Sequence, residues 1–268
     1  MQYAQLNNGQ SMPMLGLGTY TLTGKRGVDI MLDALELGYR LLDTAKMYGN
    51  EREVGEAFRK SGLGREELFV TSKLNSPCAS YALAKRGIAQ SLEALQMDYV
   101  DLMLVHEPYE GAEEMYKALE EAQAEGLVRS IGISNFGLGR CERLYANALV
   151  VPAVNQLENH VRFQQGKLVD WLQQKGTVVQ AWSPFGAGRG NILSDPVLAD
   201  IGKNYGKTAA QVALRFLVER GIAVIPKASV RERLKANMEI FDFALTDDEM
   251  RTIRAMDGGS SFFSWSWI

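Results

Sequence analysis

The apolar run LLD ends in Asp43, and the stretch after it, TAKMYGNE, carries a phenol at Tyr48. A second apolar run, LFVTSK, ends in Lys73, and a third, YVDLMLVH, ends in His106. Taken singly, each residue has a plain structural reading. Asp43 has the side chain of a helix N-cap. Tyr48 can be a packed aromatic with a hydrogen-bonded hydroxyl. Lys73 can lay its stem on apolar surface and keep its charge in water. His106 can be a structural imidazole. Brought together, the four types make a proton-delivery site. A lysine near a tyrosine stabilises phenolate and lowers the phenol's pKa from about 10. An aspartate beside the lysine keeps it charged and oriented, and a histidine near the tyrosine can position a carbonyl oxygen. That is a proton donor for work near neutral pH.

Four residues so far apart in sequence meet only if the fold aligns the strands that carry them. Strand-like apolar runs occur at MLGLG (14–18), YRLLD (39–43), LFVTSK (68–73), YVDLMLVH (99–106), RSIGIS (129–134), AVNQ (153–156), TVVQAW (177–182) and IAVIP (222–226). Several are almost continuously apolar, as parallel strands covered on both faces are. Helical patterns lie between them, including EREVGEAFRKSG, YALAKRGIAQSLEAL, GAEEMYKALEEAQAEG and TAAQVALRFLVERG. Glycines at 38, 126, 176 and 221 fall where helices stop before the next strand. The alternation over 268 residues points to one domain, residues 1–268, folded as a closed (β/α)8 barrel. The segment AQLNNGQSMPML reads as an N-terminal β-hairpin closing the barrel bottom. The runner-up is an open doubly wound sheet, but GLGTYT supplies only the first two glycines of its dinucleotide fingerprint.

In such a barrel the chemistry sits at the C-terminal strand ends. In chain order these carry Thr19 with Tyr20, Asp43, Lys73, His106, Ser134 with Asn135, Gln156, Ser183 and Lys227. A polar group at each strand end is more than helix capping requires.

Composition narrows the function classes. A net charge of -3, with both signs mixed along the chain, gives no reason to expect nucleic acid or an anionic membrane as partner. No apolar run approaches the ~20 residues of a membrane span. The start, MQYAQLNNGQ, lacks the basic and apolar segments of a secretory signal. Cys78 and Cys141 form no CxxC pair, so free thiols in a reducing cytosol are expected. With two histidines, His106 and His160, a multi-histidine metallohydrolase site is excluded, and no metal is expected.

The stretches LLDTAKMYGNE, FVTSKL, VDLMLVHEP, SIGISNF, AVNQLENH, AWSPFG and IPKASVRERLKAN, in this order, resemble the aldo-keto reductase superfamily over nearly the whole chain. Length and the short tail are similar to its compact bacterial members, such as 2,5-diketo-D-gluconate reductases. The resemblance implies a cytoplasmic, monomeric, NADPH-dependent reductase of aldehydes or ketones. It makes Asp43, Tyr48, Lys73 and His106 a catalytic tetrad, with Tyr48 as the acid. It gives Thr19, Asp43, Ser134, Asn135 and Gln156 to the nicotinamide end of the cofactor. Trp182 stands where the family usually stacks a tyrosine on the nicotinamide. Ser183, Pro184, Phe185 and Gly186 would hold the pyrophosphate, and Lys227, Ser229, Arg233 and Asn237 the adenosine end, with its 2′-phosphate. Two departures there, Ala228 and Ala236, bear on the strength of NADPH preference.

The substrate would meet Tyr20, Met47, His106, Glu107, Tyr109, Asn159, Phe262 and Trp265. Glu107 departs from the tryptophan common after the family's histidine. A carboxylate there would repel anionic substrates, unless it turns outward to a nearby cation. The aromatic tail SSFFSWSWI can lie over the barrel mouth, cover the wall or meet another subunit. Two other functions stand beside the reductase. One is a non-catalytic NADP(H)-binding sensor or subunit. The other is an isomerase or lyase that uses Lys73 as a Schiff base.

Overall fold

A computed structural model describes residues 1–264. A short antiparallel hairpin opens the chain: β1 (Tyr3–Gln5) pairs with β2 (Ser11–Pro13). Its turn is tied under the barrel. Asn8 Nδ2 donates to the Arg129 carbonyl at 3.0 Å, and Asn7 Nδ2 to the Val151 carbonyl at 3.1 Å. Both acceptors precede or begin barrel strands, so the hairpin covers the N-terminal end, opposite the expected site.

The barrel strands are β3 (Leu17–Gly18), β4 (Leu41–Asp43), β5 (Phe69–Leu74), β6 (Val100–Val105), β7 (Val128–Ser134), β8 (Val154–Glu158), β9 (Val178–Trp182) and β10 (Ala223–Val224). They pair in sequence order, all parallel. A parallel bridge between Leu15 and Val224 joins first to last. Gly16 N donates to the Val224 carbonyl at 2.9 Å, and Val224 N to the Met14 carbonyl at 2.8 Å. The sheet is therefore a ring without a free edge. The helices between strands are α1 (Gly24–Glu36), α2 (Glu51–Ser61), α3 (Tyr81–Leu95), α4 (Ala112–Ala124), α5 (Leu138–Asn147), α6 (Gly166–Gln174), α7 (Pro196–Lys203) and α8 (Ala209–Glu219). α9 (Arg231–Met238) and α10 (Asp247–Arg254) follow the last strand.

β5 and β6 are buried at every position, which explains their unbroken apolar text: one face fills the barrel and the other meets helices. The glycines of GLGTYT serve closure. A Cβ on Gly18 would stand 2.8 Å from the Ile225 carbonyl oxygen, and one on Gly16 would stand 2.2 Å from the Leu41 side chain. At Gly18 only glycine lets the seam strands approach so closely, and at Gly16 the missing side chain leaves room for Leu41 of β4. No described helix is long and apolar enough to cross a membrane.

Candidate active site

β4, β5 and β6 are neighbours in register, with Asp43 opposite Thr71 and Lys73 opposite Leu104. Their C-terminal ends therefore bring Asp43, Lys73 and His106 to one side of the barrel mouth. Lys73 Nζ donates to Asp43 Oδ1 at 2.5 Å and to the Thr44 carbonyl at 2.9 Å. Neither partner reaches solvent: Lys73 is 0% and Asp43 1% exposed. The snorkelling and helix-cap readings are thereby excluded. The ammonium lies 5.1 Å from the centre of the Tyr48 ring, and the His106 ring meets that ring edge-on at 5.7 Å. Asp43 Oδ2 accepts from Gln156 Nε2 at 2.7 Å, and the same nitrogen donates to Gln180 Oε1 at 2.6 Å. The aspartate is held on both oxygens.

Burial acts on each group. It works to lower the Lys73 pKa, but the charges of Asp43 and Tyr48 outweigh it and the net direction is upward. Lys73 stays an ammonium. Burial pushes the Asp43 carboxyl up, opposed by Lys73 and Gln156. Burial and the Lys73 charge hold His106 well below its ordinary value, so the imidazole is neutral. Its Nδ1 has no partner among the described residues. Tyr48 departs from expectation. Lys73 does act to lower its pKa, by charge and hydrogen bonding, yet burial dominates and the phenol is raised above 10. Removing the ring from water penalises phenolate more than one lysine, itself paired with Asp43, can repay. The correction leaves Tyr48 protonated at neutral pH, the state an acid needs.

The loop that carries Tyr48 is fixed by residues the sequence reading passed over. Thr44 Oγ1 donates to Asn50 Oδ1 at 2.7 Å, and Asn50 Nδ2 donates to the Thr19 and Leu22 carbonyls at 2.8 and 2.9 Å. Glu51 accepts from Ser72 Oγ at 2.5 Å. Gly49, at φ 67°, makes the tight return after Tyr48. The signal was the NE that closes LLDTAKMYGNE, two buried polar residues opening an amphipathic helix.

Of the cofactor residues, Thr19 Oγ1 is spent on the Asp43 carbonyl. Gln156 has committed its nitrogen and offers its oxygen as an acceptor. Asn135, at φ 62°, donates to Glu107 Oε1 at 2.9 Å and Ser134 Oγ at 3.2 Å, and accepts from Trp182 Nε1 at 2.8 Å. Ser183 adopts φ 47° and opens a turn closed by Gly186 N on its carbonyl at 2.7 Å; Pro184 is buried there and Phe185 half-buried. Lys227 is exposed and bonds the Thr21 hydroxyl, a neutral partner, so its charge remains open to a phosphate. Arg233 is exposed and Ser229 half-buried. Arg231, by contrast, is taken up by Asp33 and Glu36 of α1. Asn237 is buried near the Tyr39 hydroxyl, which donates to the Leu234 carbonyl at 3.0 Å. These residues fit a nicotinamide nucleotide: amide and hydroxyl groups near the tetrad, a loop with glycines at positive φ, then open cations.

The pocket residues divide. Tyr20 stacks at a tilt on Tyr48, ring centres 5.1 Å apart, and is exposed, as is Met47. Tyr109 is half-buried beside Glu107. Asn159, just past the end of β8, is fully buried; its Nδ2 holds the Gln164 carbonyl at 2.9 Å and its Oδ1 has no partner among the described residues. Glu107 does not turn outward to a cation. It turns in to Asn135, and burial pushes its carboxyl up to about 7. Trp265 lies outside the described residues. The tail before it docks on buried Glu158, which accepts from Phe262 N at 2.9 Å, from Ser261 Oγ, and from His160 Nε2 at 3.0 Å. Phe262 stacks on His160 at 4.5 Å and fills the space over the glycine loop. A Cβ on Gly190 would stand 2.4 Å from its ring. Phe263 lies 4.9 Å from the Trp182 ring.

The model of the aldo/keto reductase family matches residues 14–257. YtbE of Bacillus subtilis, described as an uncharacterized oxidoreductase, is 41% identical over 95% of this chain and 92% of its own length. The methylglyoxal reductase DkgA of Escherichia coli is 36% identical over 95% of this chain and 93% of its own. Among solved structures, an aldo-keto reductase from a deep-sea metagenome library superposes with a TM-score of 0.96 at 38% identity, covering 99% of this chain and 98% of that one. A silkworm aldo-keto reductase, solved in complex with NADPH, gives 0.92 at 35% identity over 97% of this chain and 88% of that one.

Proposed function

The chain belongs to the aldo/keto reductase family, and we propose that it reduces small aldehydes or ketones, dicarbonyls and keto-sugars among them, to alcohols with NADPH. The observation that carries this reading is the buried Asp43–Lys73 pair set against Tyr48, with neutral His106 edge-on to the same ring. NADPH, when bound, supplies a hydride to the carbonyl carbon. The chain's own residues handle the oxygen. Neutral His106 donates an N–H to it and fixes its position. Tyr48 delivers its proton, and the electron pair of the O–H bond stays on the phenol oxygen. The Lys73 ammonium stabilises that phenolate, and Asp43 and Gln156 keep the ammonium aimed. Tyr48 then regains a proton from water. Ser134, Asn135 and the Gln156 oxygen would hold the carboxamide, with Trp182 against the ring. Ser183–Gly186 would take the pyrophosphate, and Lys227 with Arg233 the 2′-phosphate that separates NADPH from NADH. The methylglyoxal reductase and the NADPH-bound relative support the substrate class and the cofactor.

The test is NADPH oxidation with a panel of small aldehydes and ketones, by wild type and Tyr48→Phe. A drop in kcat of about 10²- to 10⁴-fold, with NADPH binding retained, is expected. Tight NADPH binding without turnover on any carbonyl would instead favour the sensor or subunit role.

A further inference from the structure

Reduction as described has no task for Glu107. It follows His106 directly, is half-buried, and gives Oε1 to Asn135 Nδ2 at 2.9 Å. Its Oε2 is buried without a partner among the described residues. Asn135 is bound on its other side by Trp182. A glutamate serving only solubility keeps both oxygens in water. This one lies between the catalytic histidine and the two residues proposed to hold the nicotinamide. A carboxyl so placed resists ionising until a positive charge stands near it. The nicotinamide ring is neutral when reduced and cationic when oxidised.

We propose that Glu107 is a positioning residue that couples a proton to the oxidation state of the bound cofactor. It is protonated beside the reduced ring and ionised beside the oxidised one, and acts there through Asn135. The inference rests on the NADPH reading above. Burial pushes the carboxyl up to about 7, inside the range where a cell operates. Ionised Glu107 then favours NADP+ over NADPH, and protonated Glu107 relaxes that preference.

The groups facing Glu107 do not imitate this behaviour. His106 is held neutral by burial and by Lys73. Burial pushes the Tyr109 hydroxyl up to about 12, with Glu107 adding to it. Burial raises Tyr48 likewise, and Lys73 stays paired with Asp43. From α5, the Arg140 guanidinium donates to the Pro108 carbonyl at 2.7 Å. The nucleotide 2′-phosphate titrates at about 6, but in both oxidation states, so it cancels in their ratio.

The experiment measures dissociation constants of NADP+ and NADPH for wild type and Glu107→Gln between about pH 6 and about pH 8.5, across the carboxyl's range. The glutamine keeps an oxygen for Asn135 and removes the charge. In wild type the ratio Kd(NADP+)/Kd(NADPH) is expected to fall by ~tenfold as pH rises, equivalent to about one pKa unit of linkage. In Glu107→Gln it should change less than about twofold. A flat ratio in wild type, with both nucleotides bound, overturns the inference and leaves the reductase intact. A slope that persists in Glu107→Gln overturns it too and assigns the proton to another group. If wild type binds neither nucleotide, the reductase reading fails and this inference with it.

Discussion

Replacing Asp43 by asparagine keeps the shape of the site and removes one charge. Lys73 Nζ would then sit fully buried, 2.5 Å from an amide instead of a carboxylate. The amide can present its oxygen to Lys73, but its nitrogen then faces Gln156 Nε2, a donor against a donor. Turning Gln156 over would place its oxygen against Gln180 Oε1, so the conflict moves rather than vanishes. Breaking a buried pair by removing one partner costs about 3–5 kcal/mol. The alternative is for Lys73 to lose its proton. Starting from the ordinary value of 10.5, that costs about 5 kcal/mol at pH 7 and about 2 kcal/mol at pH 9. The two routes agree on ~4 kcal/mol at neutral pH, or roughly 10 °C in Tm for a chain of this size. They also fix the pH dependence. With Asp43 gone and Tyr48 still protonated, burial outweighs what remains at Lys73 and depresses its folded pKa below the unfolded one. The unfolded chain then binds more protons, so the variant gains stability relative to wild type as pH rises towards 10.5. Urea unfolding of both proteins at several pH values, beside NADPH turnover, reads each consequence. A variant within about 1 kcal/mol of wild type, or a deficit that does not narrow from neutral to alkaline pH, would refute the assignment of Lys73 as a buried ammonium held by Asp43.

Asn50→Ala should cost about 2–4 kcal/mol by stranding Thr44 and two buried carbonyls. It should lower kcat more than it weakens NADPH binding, because the loop it fixes carries Tyr48; a wild-type melting curve and kcat would count against that role. Phe262→Ala removes the ring stacked on His160 and packed over Gly186 and Gly190. Amide exchange in residues 183–190 should quicken and NADPH bind several-fold more weakly, on the order of 1 kcal/mol for one lost aromatic pair; unchanged exchange in that loop would show that the tail does not hold it.

Apolar text carried the barrel a long way. YVDLMLVH and LFVTSK lie in strands buried on both faces, and runs of that kind can be recognised without knowing their partners. The weak strands were legible through position rather than pattern. β3 and β10 are two residues each, and what joins them is a seam at which Gly16 and Gly18 meet Val224 and Ile225 from the other end of the chain. The pair Gly16 and Gly18 looked like a fragment of a nucleotide fingerprint because sequence shows glycine but not what approaches it. In the fold, the approaching atoms are the Ile225 carbonyl and the Leu41 side chain.

The same division runs through the site. Residue type at a strand end announces chemistry, since a barrel delivers all its strand ends to one mouth; hence Asp43, Lys73 and His106 could be named before their distances were known. What type cannot announce is the balance of opposing terms at a meeting point. Lysine beside tyrosine suggests an acidified phenol, and the lysine does pull in that direction, but enclosure of the ring pulls harder. The pair is therefore better understood as limiting the cost of a buried phenolate than as making Tyr48 a strong acid in the resting state. Glu107 follows the same logic with the opposite outcome. Its place after His106 suggested a carboxylate that repels anions or turns outward to a cation, whereas Asn135, just past the end of β7, draws it inward and leaves one oxygen unmatched. A carboxyl's charge at neutral pH then depends on what is bound beside it, and that dependence arises from a contact between the segments that follow β6 and β7, which the letters HEP do not contain.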